Sequence, residues 1–288
     1  MLCCIVAAGL ASWAQFNTLE HGSSTSRTWI ESKLGRKLSG ETCTVVVPRE
    51  WPLEHARRQL HDCEFRIHQL DRALGVNTRE NITAFFFRSS AEKRRLMGAS
   101  RVNIAKPWRR EVYLKGSRWP HPVLKHELAH VVAAAAAPGP FGVAGKLGGW
   151  IPEPVLVEGM AVALDWPLRE GLTPHQWTLA ARQVGMTPSL EDLLGPKFFG
   201  HNQGLAYSYA GSFLRFTLDR RGAKVLRQIY NSGDVPGVLG ENWETLEKKW
   251  SDFLEQVELP PNARARATAR FERPGIFSQV CPHTVAKL

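Results

Sequence analysis

The chain has 288 residues, 43% hydrophobic and 22% charged, with 37 Lys and Arg against 27 Asp and Glu for a formal net charge of +10. That length buries a substantial core, and that composition excludes disordered and fibrous classes. The basic residues are scattered in pairs and triplets with no zinc-finger, RRM or helix-turn-helix signature, so nucleic acid is not an expected partner.

Residues 1–14, MLCCIVAAGLASWA, are an apolar run too short to span a bilayer, which takes about 20 residues. The run reads as a signal-like segment or as part of a longer membrane segment. Either favours the cell envelope, membrane-associated or exported, over the cytosol. Together with the basic surface it makes attraction to anionic lipid an expectation. The Ser/Thr-rich stretch 15–41 is expected to be a loose lead-in. TCTVVVP then reads as a strand ended by Pro48, and Pro52–Leu74 as a helix closed by Gly75. Ile82–Ser89 is a β-rich run, Ser90–Met97 a short helix ended by Gly98, and RVNIAK and REVYLKG two further strands. Cys43 and Cys63, on the first strand and the helix after it, can pair in an oxidising compartment.

The next segment, PHPVLKHELAHVVAAAAA (Pro120–Ala137), is rich in Ala and Leu with apolar residues near a 3.6-residue period. It is expected to be a helix with Pro120 and Pro122 in its first turn. His126 and His130, at i and i+4, then share one face, and both imidazoles reach one cation. Glu127, about 100° round the helix, faces a water held by that cation. This is the logic of HExxH: two zinc ligands and a general base from one turn. Chance writes such a pattern about 0.02 times in a chain of this composition. The competing reading is two solvated histidines on an Ala-rich helix.

A catalytic zinc takes three protein ligands and keeps a fourth position open. No third His follows in the spacing HExxHxxGxxH, which excludes the metzincin class. Twenty-eight residues after His130, Glu158 sits in WIPEPVLVEGMAVALDWP, an otherwise apolar helix where a carboxylate is costly unless paired or metal-bound. Gly159 beside it weakens the helix but lets another helix or a ligand come close. The alternative is a first-turn glutamate favoured by the helix dipole.

HELAH followed by LVEGMAVALDW resembles the glutamate-zincins, the thermolysin-like superfamily, and in particular its bacterial peptidase-MA-like members. The resemblance implies one Zn²⁺ held by His126, His130 and Glu158, with Glu127 as general base. Thermolysin-type enzymes carry an acid four residues after the third ligand, where this chain has Val162; Asp165, seven residues on, lies on the same helical face and is expected to orient a ligand histidine. The segment LAYSYAGSFLRFTLDRRGAKVLRQIY is similar to the helix after the zinc site in these proteins, a pattern of roughly Y-x-x-x-x-S-F. It offers Tyr207, with Tyr209 as neighbour, as donor to a developing oxyanion; packing on its own helix explains either Tyr as well. The strand REVYLKG is expected to be the sheet edge that pairs with extended substrate. No GxMEN segment supports aminopeptidase action.

After Pro167 nearly everything reads as helix: Pro174–Gln183 with Thr173 as N-cap, Gly204–Arg220, Ala223–Asn231 and Trp243–Val257. Strands first and helices last give an α+β class: a mixed-sheet N-terminal lobe carrying the HExxH helix, then an all-helical C-terminal lobe. The zincin-like domain is placed at 42–259 and a basic C-terminal extension at 260–288. The expected activity is zinc-dependent hydrolysis of a peptide or protein substrate. The alternative is a non-catalytic zinc-binding envelope scaffold, against which an intact Glu127 argues.

Overall fold

The runs CTVVVP and ITAFFF are buried at every position. A strand buried on both faces belongs inside a sheet covered on both sides. In the computed structural model, which describes residues 26–100 and 102–272, they are its central strands. Residues 1–25, with the apolar run and the first part of the expected lead-in, and Cys281-Pro282-His283 lie outside the described residues. The class is α+β, with a mixed five-stranded sheet.

The chain divides into two compact units. The first runs to Gln69 and resumes at Thr78–Val131. It contains α1 (Arg27–Leu34), β1 (Gly35–Ser39), β2 (Cys43–Pro48), most of α2 (Leu53–Leu74), β3 (Ile82–Phe87), α3 (Ser90–Met97), β4 (Ile104–Lys106) and β5 (Glu111–Lys115). The strand order is β1-β2-β3-β5-β4. The inner pairs β2–β3 and β3–β5 are parallel and the outer pairs antiparallel. Alternation along the strands sends Val46, Phe85, Phe87 and Tyr113 to one face, where Ile30 and Leu34 of α1 and Leu96 and Met97 of α3 cover them. Cys43 faces the other side and is disulfide-bonded to Cys63 of α2.

Two expectations are corrected here. The end of the presumed loose lead-in is ordered structure: Ser26 caps α1 through the Trp29 amide, and β1 forms the sheet's edge against β2. Its weak apolar signal hid it, because only Ile30 and Leu34 of α1 enter the core. REVYLKG is not an edge. β5 lies between β3 and the three-residue β4, which pairs with Glu111–Tyr113, so the free side of the sheet here belongs to β4.

The second unit takes Leu70–Asn77 and the chain from Val132 on. Its helices are α5 (Pro154–Asp165), α6 (Pro174–Gln183), α7 (Gln203–Ser232), α8 (Val235–Leu239), α9 (Trp243–Leu254) and α10 (Ala263–Phe271). Thr173 caps α6 in a reciprocal capping box with Gln176. The two expected helices Gly204–Arg220 and Ala223–Asn231 are one span, interrupted at Gly222, whose φ of 79° is open to glycine. α10 opens the region read as an extension, and its Phe271 packs edge-on to Trp177 of α6. No described helix is long and apolar enough to cross a membrane.

One buried triad ties α6, α7 and α9 together. Ser212 accepts from the Trp250 indole at 3.2 Å and shares a 2.8 Å hydrogen bond with Nδ1 of His175. The His175 ring meets Trp166 and Phe253 edge-on. Burial lowers the His175 pKa from the ordinary 6.5 to about 4. The folded form therefore holds neutral His175, while the unfolded chain takes up a proton below about 6.5. Stability from this group is present above pH 6.5 and falls as pH drops toward 4. We expect a loss of roughly 2–3 kcal/mol between pH 7 and 4.5. Thermal denaturation of wild type and His175→Phe across that range measures it; parallel pH slopes in the two proteins would refute the assignment.

Candidate metal centre

The helix α4 (Leu124–Ala133) carries HELAH. It starts at Leu124 rather than in the Pro120–Pro122 turn. The buried His121 stands in front of it: its Nδ1 accepts from the Val123 amide at 3.4 Å, its Nε2 donates to the Lys115 carbonyl at 3.1 Å, and its own carbonyl accepts from the Leu124 amide. These contacts fix a neutral tautomer, and burial lowers the pKa of His121 in the same direction. Leu128, Ala129, Val131 and Val132 bury the opposite side of α4. His126 and His130 therefore emerge together one turn apart, ring centroids 5.0 Å apart and planes at 89°. Glu127 and His130 are each only 8% exposed.

Glu158 lies on α5, which Pro154 opens at its first helical position and the left-handed Trp166 ends. It is half-buried, with buried residues from Gly159 to Leu164 following it. Small residues let α5 press against α7. A Cβ on Gly159 would stand 3.0 Å from the Ala210 backbone, and one on Gly211 would stand 2.1 Å from Cγ1 of Val162. Position 162, where the resemblance calls for an acid, is thus a packing position against Gly211.

The atoms that His126, His130 and Glu158 offer to a cation lie within 4.8 Å of one another, the one such group of three among the described residues. Two imidazoles and a carboxylate are a donor set that suits zinc.

Two residues that no motif marked bear on this group. Lys93 of α3 is fully buried, and its ammonium donates to the Val102 carbonyl. Burial lowers its pKa to about 8, with the Glu127 carboxylate the largest influence in the other direction. Tyr230 of α7 is fully buried too; burial pushes its phenol far up, and the Glu158 charge adds to the shift. Lys93 reads as one more cation in AEKRRL and Tyr230 as one more aromatic, so only the fold singles them out.

Of the tyrosines expected near the site, Tyr209 is fully buried and its hydroxyl donates to the Met186 carbonyl, a structural use. Tyr207 is half-buried, its ring edge-on to Phe198 at 5.6 Å. Asp165 is half-buried and closes α5. The Ser-Phe pair in the same pattern is packing: Ser212 bonds Trp250 and His175, and Phe213 meets the Trp250 ring edge-on. No family model matches the chain, and no curated protein matches it.

Proposed function

We propose that the chain is a zinc-dependent metallopeptidase of the gluzincin type, its zincin-like α+β fold hydrolysing peptide bonds in a peptide or protein substrate. The observation that carries this reading is the convergence of His126, His130 and Glu158 with the buried Glu127 on the same turn of α4. His126, His130 and Glu158 hold the ion, which when bound supplies a Lewis acid and a water of lowered pKa. Glu127 accepts the proton of the attacking water and returns it to the leaving amine nitrogen. Tyr207 donates its hydroxyl to the oxyanion as the carbonyl becomes tetrahedral, and Asp165 orients a ligand histidine. The Cys43–Cys63 disulfide supports an oxidising compartment, in keeping with an envelope or exported location.

Elemental mass spectrometry of the purified protein tests the centre. About one zinc per chain is expected for wild type, and Glu158→Ala is expected to lose most of it, because two imidazoles on one turn hold zinc far more weakly than three ligands. Wild type that neither carries nor takes up zinc would end this reading and leave HELAH as two histidines on a helix.

A further inference from the structure

Four large apolar side chains crowd one short stretch of the second unit: Phe141 is 36% exposed, Leu147 76%, Trp150 62% and Ile151 51%. Leu147, Trp150 and Ile151 sit on a hairpin, with Phe141 four residues before it. Gly145 bridges Pro152 and Lys146 bridges Ile151, around a turn in which Leu147 and Gly148 are left-handed at φ 51° and 67°. Backbone lies directly on backbone here. A Cβ on Gly139 would meet the Gly148 carbonyl at 2.2 Å, one on Gly145 the Ile151 carbonyl at 2.1 Å, and one on Gly149 the Val143 carbonyl at 2.4 Å. The hairpin's interior is therefore filled by main chain, and its large side chains are turned outward. Phe141 and Trp150 meet edge-on at 5.1 Å, which holds the two aromatics together at the tip.

Exposed apolar side chains clustered in this way mark an interaction surface. The charge around them says which kind. No carboxylate occurs between Glu127 and Glu153, the exposed Lys146 lies in the turn, and Glu153 is buried with its carboxylate accepting from the Gly195 amide. Tryptophan beside aliphatic residues and a lysine is the composition that partitions to the headgroup level of a bilayer. Four side chains are few against the roughly 20–30 residues that each partner brings to a stable protein interface. We infer that this hairpin is a membrane-interface anchor, seating Leu147, Trp150 and Ile151 among the acyl-chain ends of an anionic lipid surface with Lys146 at the headgroups. The net charge of +10 supplies long-range attraction to such a surface. This anchor is distinct from the apolar residues 1–14 and does not depend on the metal centre.

The test uses the full chain and sedimentation with vesicles of phosphatidylcholine, alone and mixed with phosphatidylglycerol. Wild type is expected to bind the mixed vesicles, and Leu147→Ser with Trp150→Ser is expected to weaken binding roughly tenfold or more. Both side chains are exposed, so circular dichroism should show an unchanged fold. Acyl-brominated lipid, which quenches indoles that enter the bilayer, is expected to quench wild type more than Trp150→Phe. Vesicle binding that survives the double substitution, or quenching that Trp150→Phe leaves unchanged, would overturn the anchor. So would a double variant that binds vesicles normally but cleaves protein substrates more slowly, because the hairpin would then be gripping polypeptide.

Discussion

Glu127→Gln is expected to lower peptide hydrolysis by roughly 10²–10⁴-fold while leaving zinc content unchanged, the range that a positioned proton acceptor contributes. The substitution keeps the shape of the side chain and removes only its ability to take a proton. Glu127 is not one of the three atoms' donors to the cation, so the ligand set of His126, His130 and Glu158 is untouched. It is also almost fully buried, which holds the side chain in place. Lys93 senses the change, because the carboxylate is the largest attraction opposing the burial of its ammonium. For that reason wild type and variant are best compared across a range of pH rather than at a single value. Cleavage of a peptide library read by mass spectrometry gives the rate, and elemental analysis of the same sample gives the zinc. A variant that retains zinc and cleaves within about threefold of wild type would remove Glu127 from the mechanism.

The second large effect is on stability. Gly211→Ala places a methyl 2.1 Å from Cγ1 and 2.5 Å from Cβ of Val162, both inside contact distance. Val162 is 3% exposed and β-branched in a helix, where one χ1 rotamer dominates, so it has no free direction in which to turn. The strain must be relieved by moving α5 away from α7. Overpacking of this kind costs roughly 1–3 kcal/mol, and the closeness of the contact places Gly211→Ala at the upper end. For a chain of this size that corresponds to a drop in Tm of roughly 5 °C. Val162→Ala in the same protein removes the obstructing methyls and is expected to recover much of the loss, a coupling that a double-mutant cycle measures. Full additivity of the two substitutions would mean that the two positions do not meet.

The difference between these positions and HELAH is a difference in range. Spacing within one helix is a local property: i and i+4 share a face wherever the helix sits, so His126, His130 and the placement of Glu127 follow from the residues alone. Local chemistry likewise marked the Thr173 cap, the Gly98 stop, the break near Gly222 and the pairing capacity of Cys43 and Cys63. The central strands were legible because β-branched and aromatic runs bounded by turn residues have few other uses.

What the tertiary structure alone decided is everything that requires two distant segments to meet. Strand order is one case: β5 and β4 read alike as strands, and only their pairing makes β4 the edge. The grouping of Glu158 with the two histidines is another, since no spacing within one helix contains it. Packing of α5 on α7 gave Val162 a neighbour instead of a ligand's partner, and the chain after α6 took the Tyr209 hydroxyl on the Met186 carbonyl. Lys93 and Tyr230 became relevant only through burial next to a charge, which no spacing encodes. Sequence periodicity determines which face of an element is apolar; side-chain volumes and backbone contacts across the chain determine what that face finally touches.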